Sequence, residues 1–215
     1  MAKINTVIFD LDGTLVKSAE SIYYSMIHSF DQLKIKHDIS VEKFNTMIGW
    51  HFEDIFNEVN IVVPDFEEFI SIYKNVYFDY IDKSSLYNNV EKTLSSIKRK
   101  GMLVALLTTK GQDQAEKIIT HFTLDKYFDY IMGRRPGIAH KPSPEPLEII
   151  LRELECDPKL ALMVGDSEMD IQCGNSANSL TCGVTYGYRS RELLLKENPD
   201  YLIDNLNELM NILEN

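Results

Sequence analysis

Two rhythms of hydrophobic and polar positions run along the chain. Val7-Ile8-Phe9 is a continuous apolar run of the kind a parallel strand uses when both faces are covered, and Gly13-Thr14 supplies a turn just beyond it. Ile22, Met26, Phe30 and Leu33 then recur at helical spacing, followed by Val41, Phe44 and Ile48, and by Phe66, Phe69, Ile70, Tyr73 and Tyr77. Asp65 and Glu68, directly after Pro64, form a capping pair that predicts a helix start. The result is a block of helices without strands.

From about Asn88 the pattern changes to alternation. Val90, Leu94 and Ile97 form a helical stripe closed by Lys98-Arg99-Lys100-Gly101, cations in the last turn followed by a glycine suited to the left-handed position. Met102 to Leu107, Tyr130 to Gly133, Leu160 to Val164, Leu180 to Val184 and Tyr201 to Ile203 read as strands. Helices are predicted around Ala115, Ile118 and Phe122, around Leu147, Ile150, Leu151 and Leu154, and around Leu206, Leu209, Met210 and Leu213. Alternating strands and helices predict an α/β fold with a parallel sheet covered on both faces. The helical block does not fit that alternation, so it is expected to be an inserted α-helical cap at 18–84, with the core formed by 1–17 and 85–215.

Composition narrows the function. At 215 residues the chain can build one substantial core with a small accessory domain. Lys plus Arg number 22 against 33 Asp plus Glu, a net charge of -11 that disfavours nucleic acid as a partner, because backbone binding is driven by clustered cations. An anionic substrate would need local positive charge against that field. The three cysteines, Cys156, Cys173 and Cys182, lie in no metal-binding pattern and suit a reducing cytosol. Met1 to Asn5 runs directly into the first strand without the apolar stretch of a signal peptide, and no run approaches the ~20 apolar residues of a membrane helix. A cytoplasmic protein with no membrane partner is expected.

The candidate chemistry sits at strand ends. The first strand ends at Asp10, with Asp12 two residues on; the second ends at Thr108-Thr109-Lys110; a later one ends at Gly165-Asp166, with Asp170 following. If these strands are adjacent and parallel, the groups converge on one sheet edge, where open α/β sheets bind ligands. His140-Lys141-Pro142-Ser143-Pro144 adds a lysine in a loop stiffened by proline. Each residue alone has a plain explanation: turn aspartates, a solvated lysine, or carboxylates capping a helix. Their combination points to a ligand site at that edge.

On these residues the chain resembles the haloacid-dehalogenase superfamily of phosphotransferases. Asp10-Leu11-Asp12-Gly13-Thr14, Thr108-Thr109-Lys110, Lys141-Pro142 and Gly165-Asp166 with Asp170 stand in the family's order, and the inserted cap follows the first motif. Val184-Thr185-Tyr186-Gly187-Tyr188, the run from Pro199 to Asp204, and that from Lys141 to Leu147 are similar to the phosphoglycolate phosphatase and pyrophosphatase branch. The resemblance implies a Rossmann-like doubly wound core and hydrolysis of a small phosphorylated metabolite. Asp10 would be the nucleophile and Asp12 the acid and base. Thr108, Thr109 and Lys141 would hold the phosphoryl group. Mg2+ would be held by the Asp10 side chain, the Asp12 backbone carbonyl and Asp166, with Asp170 orienting the shell. Inorganic pyrophosphatase, a β-phosphoglucomutase-type mutase and a catalytically silent phosphate-binding protein are the alternatives. Substrate choice is assigned to the cap, with Trp50 and His51 as candidate lining residues. Three departures stand out: Thr109 where relatives carry Asn, Lys17 where an acid is usual, and Asn175 to Ser179 in place of an Ala-Gly-rich segment. Glu168 is expected to face solvent.

Overall fold

The computed structural model describes residues 3–214. Along the chain, β1 (Thr6–Phe9) and β2 (Val16–Lys17) precede the helices α1 (Ala19–Leu33), α2 (Val41–Asn45), α3 (Phe52–Glu58) and α4 (Phe66–Tyr77). Next come β3 (Ser85–Leu86), α5 (Val90–Arg99), β4 (Leu103–Gly111), α6 (Gln112–His121), β5 (Tyr130–Arg134) and α7 (Glu145–Glu153). The chain closes with β6 (Ala161–Gly165), α8 (Glu168–Ser176), β7 (Leu180–Val184), α9 (Arg191–Lys196), β8 (Tyr201–Ile203) and α10 (Leu209–Glu214). It divides into two compact units, Met1–Leu15 with Leu86–Asn215, and Val16–Ser85. The short strands β2 and β3 pair where the chain passes from one to the other.

Unit 1 is built on a six-stranded sheet of order β5-β4-β1-β6-β7-β8, parallel at every pairing. All four residues of β1 are fully buried, as expected of a central strand covered on both faces. One cluster of the core joins Ile8, Ala105, Leu107 and Met163 from the sheet to Leu147, Ile150 and Leu151 of α7. Register decides where the chemistry falls. Phe9 lies opposite Leu106 on one side and Val164 on the other, so the residues that follow them, Asp10, Leu107 and Gly165, stand at one level. The parallel α/β sheet expected from the alternation, in the doubly wound form implied by the resemblance, is therefore present.

Unit 2 is a helical cluster held by aromatic rings. Phe30 of α1 lies 5.3 Å from Phe56 and 5.5 Å from Phe69, ring centre to ring centre, and Phe52 meets the Tyr73 ring edge-on at 4.7 Å. Ser21, Ser25 and Ser29 make a buried stripe of small residues on α1. Two of the hydroxyls are satisfied within the helix, Ser25 donating to the Ser21 carbonyl at 2.6 Å and Ser29 to that of Ser25 at 2.7 Å, while Ser21 donates to the Tyr80 carbonyl at 2.8 Å. Asp65 caps α4 by accepting from Glu68 N–H at 2.9 Å, as its spacing predicts. The stripe at Val41, Phe44 and Ile48 is not one helix. Thr46 Oγ1 donates to the Lys43 carbonyl, α2 stops at Asn45, and Ile48 is buried from a turn that ends at Gly49 with φ +96°. No helix among the described residues is long and apolar enough to cross a membrane.

Candidate active site

The site begins where β1 ends. Asp10 N–H still donates to the Val164 carbonyl at 2.9 Å, which ties the first residue past the strand to β6. The chain then turns through Gly13, whose φ of +91° places it in the left-handed region. A Cβ there would stand 2.2 Å from Asp166 Oδ2, and one on Gly187 would stand 2.2 Å from Asp166 Cβ. Asp166 is thus held between two backbone segments that admit no side chain. Its Oδ2 accepts from Tyr188 N–H at 2.6 Å.

One carboxylate oxygen from each of Asp10, Asp166 and Asp170 lies within 4.8 Å of the others, and all three residues are buried. Lys141 enters this group from its proline-rich loop, 3 % exposed, donating to Asp10 Oδ1 at 2.6 Å, to Asp170 Oδ1 at 2.5 Å and to the Leu107 carbonyl at 3.2 Å. Asp170 also serves its own helix: its Oδ2 accepts from Ser167 N–H at 3.0 Å and from Ser167 Oγ at 2.6 Å. Asp170 thus caps its helix with one oxygen and meets Lys141 with the other.

Electrostatics follow from this crowding. Burial pushes the Asp10 carboxyl up from 3.8 to about 7; Lys141 opposes the rise, and Asp170 and Asp12 add to it. Asp166 is driven well above the ordinary carboxylate range by burial and by the neighbouring Asp10 and Asp170. Burial disfavours the charged form of Lys141, yet the Asp10 and Asp170 carboxylates outweigh it and hold its pKa above the usual lysine value. Three carboxylates facing one ammonium leave two negative charges in excess when all are ionised. A set of hard oxygen donors with surplus negative charge fits a divalent cation such as magnesium.

The structure brings together Asp10, Asp166, Asp170 and Lys141, with Asp12 two residues beyond Asp10. Thr108 is buried on β4 next to Leu107, whose carbonyl Lys141 contacts, and Thr109 follows it, half-buried. Trp50 and His51 belong to unit 2. His51 has a structural task there: it precedes α3, its Nδ1 accepts from Glu53 N–H at 3.4 Å, and its ring lies 5.6 Å from that of Phe66. Lys17 is exposed.

Glu168 departs from expectation. It is half-buried and accepts from Nε of the buried Arg189 at 2.8 Å, because α8 opens beside the chain segment that follows β7. Sequence reasoning places Lys110 at the strand end with Thr108 and Thr109 but gives it no partner. Its ammonium donates to both oxygens of Asp12, at 2.9 and 2.8 Å. The available signal was its position two residues after Thr108 on an extended segment, which returns a side chain to the same face.

The sequence model of the haloacid dehalogenase-like hydrolases matches residues 7–184, a span that includes Asp10, Asp12, Thr108, Lys110, Lys141, Asp166 and Asp170. The chain belongs to that family. Among curated relatives, pyrophosphatase PpaX of Bacillus cereus strain B4264 is 33% identical over 214 residues, covering 99% of this chain and 98% of its own. Among solved structures of similar fold, one described as a predicted phosphatase from Clostridium acetobutylicum shares 29% identity at a TM-score of 0.83, with both chains covered in full, at 100%. Another, described as a predicted phosphoglycolate phosphatase from Haemophilus somnus 129PT, shares 27% identity at a TM-score of 0.83, over 99% of each chain. The family resemblance seen in the four motifs thus extends over the whole chain.

Proposed function

We propose that this hydrolase is a magnesium-dependent phosphatase that cleaves a small phosphomonoester through a phosphorylated aspartate. The observation that carries the reading is the Asp10 carboxylate at the end of a central strand, buried with Asp166, Asp170 and Lys141, with a second aspartate two residues on. Asp10 and Asp166 would hold the cation by their carboxylates and Asp12 by its backbone carbonyl, with Asp170 beside them orienting the shell. When bound, the cation screens the repulsion between a phosphate dianion and the nucleophile.

In this reading the Asp10 carboxylate attacks phosphorus, and the bond between phosphorus and the leaving oxygen breaks as the acyl phosphate forms. Asp12 gives its proton to the leaving oxygen. It then takes a proton from the water that attacks phosphorus, which releases phosphate and restores Asp10. Lys141 neutralises charge on the phosphoryl oxygens, and the Thr108 and Thr109 hydroxyls donate to them. One lysine and one cation provide the local positive charge that the net charge of the chain does not. Unit 2 is the cap in this scheme, with Trp50 and His51 as candidate determinants of substrate choice.

The substrate class follows the branch signature, a phosphoglycolate-like monoester. Pyrophosphate is the second reading, favoured by the full-length similarity to PpaX. The test is phosphate release by the purified protein and by Asp10→Asn, with magnesium or with chelator, from phosphoglycolate, pyrophosphate and sugar phosphates. Magnesium-dependent release that Asp10→Asn abolishes is the expected result, and the ratio of the first two rates decides between the readings. Phosphate retained on an organic product would mark a mutase, and absence of any turnover would overturn the enzyme reading.

A further inference from the structure

We infer that Lys110 is a positioning residue for acid–base chemistry, fixing the direction of the Asp12 carboxylate; the inference rests on the phosphatase reading above. The local chain geometry is built to deliver this lysine. Leu107 of β4 lies opposite Met132 of β5, but Gly111 lies opposite Arg134, so β4 spends two more residues than its neighbour over the same length. A bulge of this kind re-aims side chains at a strand end. Thr108 Oγ1 accepts from Lys110 N–H at 3.2 Å within the irregular stretch. The side chain of Lys110 is thereby placed at the edge where β1 also ends.

The contact itself is specific. Lys110 Nζ lies 2.9 and 2.8 Å from the two oxygens of Asp12, and each residue is only 9 % exposed. A carboxylate on a turn beside glycine has rotational freedom about both side-chain bonds. A donor gripping both oxygens removes that freedom in the resting protein, and small misplacements of a reacting group cost large factors in rate. The two buried lysines divide the site between them: Lys141 contacts the nucleophile and Asp170, while Lys110 contacts the acid–base residue.

The discriminating experiment varies the leaving group. An alkyl phosphate needs a proton on its leaving oxygen, whereas p-nitrophenolate departs as a stable anion without one. Lys110→Met is expected to lower kcat/KM for an alkyl phosphate by about 10²-fold, within the range of general acid–base contributions. Its kcat/KM for p-nitrophenyl phosphate should stay within about threefold, and inhibition by inorganic phosphate should be unchanged. A second comparison guards against misfolding of the single variant. Because Lys110 acts through Asp12, the neutral pair Asp12→Asn with Lys110→Met should match Asp12→Asn alone on p-nitrophenyl phosphate. Equal losses on both substrates, a further loss in the double variant, or weakened phosphate inhibition in step with the rate would overturn the inference and leave the phosphatase reading standing. A wild-type protein inactive on both substrates, with Asp10→Asn indistinguishable from it, would overturn both.

Discussion

Replacing the proposed nucleophile, Asp10→Asn, should make the metal-free protein more stable while abolishing turnover. Asp10 carries a folded-state pKa of about 7 against an ordinary value of 3.8, because it is buried among carboxylates and only partly offset by Lys141. A raised carboxyl pKa favours the protonated folded form. Its stabilising contribution is complete below the ordinary value and disappears as pH climbs to about 7. Above that the deficit is constant, and a shift of this size corresponds to about 4 kcal/mol. Asparagine cannot ionise and keeps an oxygen for Lys141 to contact. In chelator at pH 8, Asp10→Asn should therefore exceed wild type by about 4 kcal/mol, or on the order of 10 °C in Tm for a chain of this size. At pH 4 the two should be separated by less than about 1 kcal/mol. Urea unfolding followed by circular dichroism at a series of pH values measures this directly. Millimolar magnesium should narrow the gap at pH 8, since a ligand that binds the folded state stabilises it by mass action and wild type binds with one more carboxylate. Equal stability of the two proteins at pH 8 in chelator would refute the electrostatic reasoning.

Lys141→Met should reduce phosphate release by about 10²–10³-fold. In chelator at neutral pH it should also cost about 3–5 kcal/mol, since buried Asp10 and Asp170 lose their common partner; enzyme assay and urea unfolding report the two effects. Gly13→Ala sets a methyl group against the Asp166 carboxylate and strains a φ of +91°. The magnesium concentration needed for half-maximal activity should rise at least about tenfold, as for other displaced supports of metal ligands. Phe69→Ala empties the centre of the ring cluster in unit 2 and should cost that unit about 3–5 kcal/mol, followed by fluorescence of Trp50, the sole tryptophan.

Strands with one unambiguous pattern were legible residue by residue. Leu180–Val184 and Tyr201–Ile203 lie where their apolar runs place them, and β1 holds the expected Val7-Ile8-Phe9. The grouping of Asp10 with Asp166 and Asp170 was legible because parallel strands must end on one side, so polar strand ends separated by more than a hundred residues share an edge, whereas Lys141, on a loop, was joined to them by the family resemblance. The helix α9 was not read, since Arg191 to Lys196 is six residues long with only Leu194 buried, too short to show a period. β4 was ended at Leu107 on hydropathy, yet it runs to Gly111 because backbone pairing with β5 resumes there. That extension is what hid the contact between Lys110 and Asp12: an irregular register leaves no trace in a pattern of apolar positions. The partnership of Glu168 with Arg189 was equally invisible, because it joins two segments whose proximity is decided by the packing of α8 and β7.

The hydrogen bond from Tyr87 N–H to the Leu15 carbonyl, 3.0 Å long, has a consequence for how the family's chains can diversify. It brings together the two points at which the chain leaves and rejoins the sheet-bearing unit, with Val16–Ser85 as the excursion between them. A flexible tether of that length would impose roughly 4 kcal/mol of closure entropy on whatever it joins. An insert that folds by itself and departs from adjacent points imposes little of this. Such a segment behaves as a cassette: it can be lengthened, shortened or exchanged while β1 and α5 keep their places, so this third of the chain can drift under selection of its own.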